Sequence, residues 1–489
     1  MLDFQDIDRR VEHALAAWDV PGAAIALVVD GKVAHTAGFG VCRRGDVAKV
    51  DADTVFSIAS ITKSFAAATV GKLVDEGRLG WDDLVTDHLP DFALYDISIT
   101  QAVTLRDLLT MRTGIAESTT IFRAAARDRA DLVRRMRALR PKARFREQVV
   151  YSTDNYTAVG MVIESVTKAP WETYARHALW DRLGMGRTNA DHRVARAMAN
   201  SASPHVRVDG ALTPIPWIYE DHAAVPAGGM NSSANDLANW LVLLLSDGAW
   251  RGEPVISAAT VKEMTALQTP DRGLGEASAL ARIFSSGKEG LIDPGYGMGL
   301  ACFNYHGAQI MSHSGVTDGF RSWMMMVPQK KFGVVVLTNS PQDLFSLAIA
   351  QSLVDQALEL PDKDWPTIML GIEHYLSREK AVAEATLAKS KNGAPQQLAL
   401  AQYAGRYRDG GSFGVVEIKV EARGLVLHAG IVDFDLQHWS GNRFAAARRA
   451  PYPMARAFFL DFQIDALGGV SGIRTSYGDD FVATKGRDT

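Results

Sequence analysis

Two cysteines in 489 residues are too few for a disulfide framework, and Cys42 and Cys302 form no metal-binding spacing. No apolar run approaches the roughly 18 residues that a membrane-spanning helix needs; the densest stretch is Trp240 to Leu245. Basic residues are not in excess either. Lysine and arginine total 52 against 56 aspartate and glutamate, a net charge of -4, which argues against a dedicated nucleic-acid binder. The opening residues, Met1-Leu2-Asp3-Phe4-Gln5-Asp6, lack the basic and apolar regions of a secretion signal. These absences predict a soluble, cytoplasmic protein. Repeats, heptads and low-complexity blocks are missing too. What is present is globular composition, 47% hydrophobic and 22% charged, enough to bury a large core. At roughly 150 residues per domain, the length predicts about three folding units.

Strand signals sit at both ends of the first 345 residues. Ala23 to Val29 is apolar and partly β-branched, Asp30-Gly31 signals a two-residue turn, and Lys32 to Ala37 returns. Residues 54 to 59 continue extended; the Ala-rich stretch from Phe65 to Leu79 reads as a helix closed by Gly80. Helical patterns dominate from Leu105 to Leu245. Gln309 to Ser312, Arg321 to Val327 and Phe332 to Asn339 are β-rich, with Pro328 to Lys331 as a turn. Val334-Val335-Val336-Leu337 is continuously apolar, as in a strand covered on both faces. The predicted fold class is α+β. Pro361 to Pro366 reads as an exit from this domain, residues 367 to 392 as a charged helical connector, and Gly393-Ala394-Pro395 as its end. From Leu398 onward short strands alternate with Gly-rich turns, which predicts a small all-β domain.

The chemistry begins at Ser60-Ile61-Thr62-Lys63. Residues i and i+3 share one helix face, so Ser60 and Lys63 point into the same space. A serine hydroxyl is a poor nucleophile until a base takes its proton. A lysine can be that base if burial or a neighbouring positive charge disfavours its ammonium. Phe56, Ile58, Phe65 and Ala66 supply apolar surroundings, and a helix N-terminus aims backbone N–H groups at an acyl oxygen. The same spacing recurs at Ser165/Lys168, Ser285/Lys288 and Ser377/Lys380, so spacing alone does not choose. Context does: only Ser60 lies between an extended apolar run and a strongly apolar helix.

Two further segments follow in order. Tyr151-Ser152-Thr153 precedes Asn155-Tyr156, and His313-Ser314-Gly315 runs into Val316-Thr317-Asp318-Gly319. Together the three resemble the motifs of the serine β-lactamase and penicillin-binding-protein superfamily, most closely class C β-lactamases, D-aminopeptidases and related esterases. Leu108 to Gly114, Pro226 to Ser233 and Tyr296-Gly297-Met298-Gly299-Leu300 look alike as well, so the resemblance covers about residues 10 to 345.

The resemblance implies a β-lactamase/transpeptidase-like antiparallel sheet flanked by helices, in a catalytic domain over residues 1–362. It implies Ser60 as nucleophile, Lys63 as its proton acceptor and Tyr151 as the proton shuttle to the leaving group. A phenol needs nearby positive charge for that task, which Lys63 and His313 are expected to supply. His313, Ser314 and Gly315 would line the pocket, and the N–H groups of Ser60 and Val316 would form the oxyanion hole. The bland alternatives are a core tyrosine, a structural histidine, and a turn at Gly228-Gly229 needing positive φ. His205, His222 and His306 show no metal-ligand spacing and read as ordinary residues. The family's second motif is Tyr-x-Asn, whereas this chain has Thr153, which offers a hydroxyl but no carboxamide. That departure weakens the expectation of β-lactam hydrolysis and favours esters or differently oriented peptides.

Leu398 to Tyr407 resembles the opening of lipocalin-like barrels appended to relatives. It implies a connector over 363–396 and a barrel over 397–489 that roofs the cleft or mediates oligomerisation; a passive stabilising domain is the alternative. The expected activity is hydrolysis of small esters, amides, D-aminoacyl peptides or β-lactam-like molecules through a Ser60 acyl-enzyme, with no cofactor or metal. The alternatives are acyl transfer and a non-catalytic binding or sensor protein. Expected partners are small-molecule substrates, without nucleic acid or membrane, and a homo-oligomer stays open.

Overall fold

The computed structural model describes residues 2–118, 123, 126–208, 210–217, 222–275, 280, 291–389, 391, 393–409, 415–430, 432–449, 458–476 and 480–483. They form two compact units. The first comprises Met1–Glu117, Leu139–Tyr219 and Ala224–Glu373; the second comprises Ser118–Ala138, Glu220–Ala223 and His374–Thr489.

The first unit is built on an eight-stranded antiparallel sheet. Its strands are β1 (Gly22–Val29), β2 (Lys32–Gly40), β3 (Thr269–Pro270), β4 (Leu291–Tyr296), β5 (Ala301–Tyr305), β6 (Ala308–Thr317), β7 (Phe320–Val327) and β8 (Phe332–Thr338), in the order β2-β1-β8-β7-β6-β5-β4-β3. The β1–β2 hairpin closes through Asp30 and Gly31, both at positive φ (51 and 73°), as the twist of paired strands favours. All seven residues of β8 are buried, so its unbroken apolar pattern is that of a strand covered on both faces. The covers are helices: α1 (Phe4–Ala17) on β2, α4 (Ala234–Leu245) on β1, β2 and β8, and α5 (Phe345–Ala357) on β7 and β8. The Trp240 to Leu245 run is therefore part of a 12-residue core helix. No helix among the described residues is long and apolar enough to cross a membrane.

Along the chain, α2 (Thr62–Asp75) and α3 (Thr153–Thr167) come after β2 and before β3. The sequence pattern predicts that the first of these ends at Gly80; it ends five residues earlier. Gly77, at φ 67°, takes the left-handed position, and the Arg78 N–H returns to the Leu73 carbonyl at 2.9 Å, which satisfies the last turn. Strands β3 to β5 were not legible in the pattern, and β6 extends beyond Ser312 to carry residues 313 to 317 inside the sheet.

The connecting helix α6 (Trp365–Lys389) follows the proline-bounded exit. In the second unit, eight strands close into an antiparallel barrel in sequential order: β9 (Gly405–Asp409), β10 (Val415–Glu421), β11 (Gly424–Ala429), β12 (Val432–Ser440), β13 (Arg443–Arg448), β14 (Phe458–Ile464), β15 (Val470–Thr475) and β16 (Asp480–Ala483). The strand read from Arg456 to Asp461 lies partly outside the described residues. Aromatic rings fill the interior. Tyr403, Phe444 and Phe462 pack with centroids 4.7 to 5.3 Å apart, and the Tyr407 hydroxyl donates to the Tyr403 carbonyl at 2.6 Å. Closure removes the exposed strand edges that a small all-β unit otherwise carries.

Candidate active site

The segment before Ser60 is extended because it is β-branched and aromatic, and Phe56–Ser57 pairs with Asn231–Ser232. Ala59 then adopts φ 43°, a left-handed conformation costing a non-glycine residue about 1 kcal/mol. Its neighbours hold it there. The Ile58 N–H donates to the Met230 carbonyl (3.1 Å), Ser322 Oγ donates to the Ile58 carbonyl (3.1 Å), and Thr62 Oγ1 donates to the Ala59 carbonyl (2.5 Å). This sharp turn delivers Ser60 onto a short 3-10 turn that runs into α2.

Lys63 lies one turn on and is fully buried. Its Nζ donates to Ser60 Oγ at 2.8 Å and to the Ala227 carbonyl at 2.7 Å, and lies 4.8 Å from the centroid of the Tyr151 ring. Tyr151 arrives on an irregular segment anchored by the Val149 N–H to the Pro270 carbonyl (2.9 Å) and the Val150 N–H to the Met111 carbonyl (2.8 Å). Its hydroxyl donates to Ser60 Oγ at 2.9 Å. One serine oxygen thus sits within hydrogen-bond reach of an amine and a phenol, the distance at which a proton can move between them. Asp107 braces this region. It is buried, it accepts from Arg112 Nε (2.6 Å) and from Arg146 Nε and Nη2 (2.9 and 2.8 Å), and it caps its own helix at Thr104. Burial opposes its charge, but Arg146, the Thr104 N–H and Arg112 together hold its carboxyl below the usual range.

His313 on β6 is fully buried, with its ring centroid 6.2 Å from that of Tyr151. Its Nδ1 faces the Ser314 carbonyl at 2.7 Å, and a carbonyl can only accept, so Nδ1 carries a proton. Nε2 lies 3.0 Å from the Tyr296 hydroxyl. Gly315 allows β6 to pass the nucleophile segment: a Cβ there would meet Ser322 Oγ at 2.1 Å and the Ile58 carbonyl oxygen at 2.2 Å. Val316 is 57% exposed at the end of the same strand.

Thr153 does not turn toward Lys63. Its Oγ1 donates to Glu117 Oε1 at 2.5 Å. Asn155, two residues on, is buried beside Thr113 and Met111. Tyr156 is buried on α3, and burial pushes its phenol well above the ordinary range. The alternative reading of Gly228-Gly229 as a turn needing positive φ does not hold, since Gly229 has φ -90°, and what this segment contributes is the Ala227 carbonyl on Lys63. Sequence reasoning also missed Glu117, because a lone acidic residue in a loop carries no spacing signal, and left Tyr296 without a role. Of the other Ser/Lys pairs, Ser165 bonds its own helix and Lys168 lies past the helix end, Ser377 and Lys380 are exposed on α6, and Ser285/Lys288 lies outside the described residues. Buried His205 is structural: it bridges the Asn339 carbonyl and the Arg44 N–H at 2.8 and 3.0 Å. No group of three or more His, Cys, Asp or Glu among the described residues is arranged to hold a metal. A cavity of about 560 Å³, bounded by α1, α5 and the start of α6, shares no residue with the Ser60 site.

The sequence matches the Beta-lactamase family over residues 7–359 and a domain of unknown function, DUF3471, over residues 389–485. The unguisins hydrolase ungD of Aspergillus violaceofuscus (strain CBS 115571) is 27% identical over 452 residues, which covers 87% of this chain and 78% of that protein. The octameric penicillin-binding protein homologue from Pyrococcus abyssi aligns over 98% of this chain and 100% of its own, with a TM-score of 0.64 at 23% identity. The D-amino acid amidase from Ochrobactrum anthropi SV3 aligns over 72% of this chain and 98% of its own, with a TM-score of 0.57 at 21% identity.

Proposed function

The chain belongs to the β-lactamase family of serine hydrolases, and from that membership we propose that it cleaves ester or amide bonds of small substrates through an acyl-enzyme on Ser60. The observation that carries this reading is the single oxygen, Ser60 Oγ, held at 2.8 Å from Lys63 Nζ and 2.9 Å from the Tyr151 hydroxyl. In the proposed reaction Ser60 Oγ attacks the carbonyl carbon as its proton passes to the Lys63–Tyr151 pair. The backbone N–H groups of Ser60 and Val316 take the developing oxyanion, a contact worth about 10² to 10³ in rate per donor. Tyr151 returns the proton to the departing alcohol or amine, which leaves an ester on Ser60. Water then gives up a proton to the same pair and attacks that ester, and the pair returns the proton to Ser60 Oγ as the acid leaves.

Thr153 shapes the substrate proposal. With its hydroxyl on Glu117 and no carboxamide to offer, the second motif gives an amide substrate fewer contacts than Tyr-x-Asn relatives provide. That favours esters over β-lactams. The hydrolase and amidase names of the two relatives make amides, including D-aminoacyl amides, the other class to test. The octamer described for the Pyrococcus abyssi neighbour makes self-association part of the proposal, to be read by light scattering. The deciding experiment is a panel of aryl esters, D-aminoacyl amides and a cephalosporin on wild type and Ser60→Ala, with a fluorescent phosphonate as label. The expected result is labelling and turnover in wild type and neither in the variant. Turnover that survives Ser60→Ala overturns the reading.

A further inference from the structure

The segment Tyr296-Gly297-Met298-Gly299-Leu300 takes no part in the reaction just described, yet it meets all three motif regions. Gly299 has φ 75°, and a Cβ on it would sit 2.6 Å from the Lys63 carbonyl oxygen and 2.8 Å from the Ser64 nitrogen. Its backbone therefore lies against the first turn of α2, where only glycine fits. On α3, the Tyr156 phenol interacts with both the Tyr296 side chain and the Gly299 backbone, and its own proton goes to the Leu109 carbonyl at 2.7 Å. At β6, the Tyr296 hydroxyl is 3.0 Å from His313 Nε2, with both side chains buried. Nδ1 donates to the Ser314 carbonyl, so Nε2 is the ring nitrogen that faces Tyr296. The Tyr296 hydroxyl is the group that meets Nε2.

We propose that Tyr296 is a positioning residue for this site: its hydroxyl holds the His313 ring in one orientation, and the Gly299 turn behind it ties that ring to the Lys63 backbone. The idea rests on the acyl-enzyme reading only for its rate measurements. His313 faces Tyr151, so a ring released from Tyr296 presents a different surface to the acyl group and to the phenol.

The test is a double-mutant cycle of Tyr296→Phe and His313→Asn, which keeps an amide donor for the Ser314 carbonyl, read as kcat/KM on one aryl ester. Each single change is expected to lower the rate roughly three- to tenfold, the worth of one hydrogen bond. The double variant is expected to lose no more than the weaker single variant, because Tyr296 acts through His313. Losses that multiply overturn the proposal. A second readout does not need catalysis. In protein labelled with ¹⁵N-histidine, His313 is the ring among twelve that vanishes in His313→Asn. Tyr296→Phe is expected to move the Nε2 resonance of that ring alone, and an unmoved resonance refutes the idea even if Ser60 proves not to be acylated. Failure of phosphonate labelling in wild type sinks the acyl-enzyme reading and leaves the spectral test standing.

Discussion

Tyr151→Phe separates the proposed steps. The change deletes the hydroxyl 2.9 Å from Ser60 Oγ but keeps the ring over which Lys63 Nζ sits at 4.8 Å, so packing around the lysine is retained. Lys63 also stays 2.8 Å from Ser60, so one partner able to take the serine proton remains. What is lost is the acid that protonates the leaving group. A positioned general acid or base contributes about 10² to 10⁴ in rate, or about 3 to 5 kcal/mol of barrier. That full loss is expected for an amide, whose amine cannot depart unprotonated. An aryl ester with a stable phenolate leaving group needs no proton and is expected to lose about tenfold or less in acylation. The assay is single-turnover acylation on a matched ester and anilide with the same acyl group, so that a slowed hydrolysis of the acyl-enzyme, common to both, does not enter. Equal losses on the two substrates refute the assignment of Tyr151 as the leaving-group acid. No loss on the anilide refutes its participation.

Thr153→Asn restores the carboxamide of the second motif and is expected to raise amide turnover relative to ester turnover; equal changes on both would show that the position does not discriminate. Asp107→Ala leaves Arg112 and Arg146 without their shared buried carboxylate, and is expected to cost about 3 kcal/mol, the low end for a broken buried pair because Arg146 is 45% exposed. Chemical denaturation measures it, and a change under about 1 kcal/mol would show that the network does not brace the Tyr151 segment. Burial lowers His205 to about 4, against the opposing pull of the Asn339 carbonyl. The unfolded chain therefore takes up a proton near pH 6.5 that the folded chain refuses until about pH 4. This contribution is complete above pH 6.5 and is lost as pH falls toward 4, costing about 2 kcal/mol of stability by pH 5. His205→Gln should flatten the difference between pH 7 and 5, and an unchanged slope would clear His205 of that role.

Several features of this molecule follow from local chain chemistry. The Asp30-Gly31 hairpin needs two residues tolerant of positive φ, and the sequence places them there. The continuous apolar run of β8 calls for cover on both faces wherever it lies. Ser60 and Lys63 share a helix face because three residues is close to one turn. The break near Gly393 and the short strands after it signal the C-terminal barrel from composition alone. Other features have no local signal. Strands β3 to β5 carry Gly, Pro, Asn and Asp among their apolar residues, and they become strands because each finds an edge to pair with, β5 on β6, β4 on β5 and β3 on β4. Gly228-Gly229 offers only a turn signal, yet its segment serves by aiming the Ala227 carbonyl at Lys63, 164 residues away in sequence. Glu117 on Thr153 and Tyr296 on His313 are likewise pairings between segments that periodicity treats as independent. Short-range patterns are set by steric and hydrogen-bonding preferences that each residue carries with it. Which distant groups then face one serine oxygen depends on how the sheet and helices pack, and only the folded chain decides that.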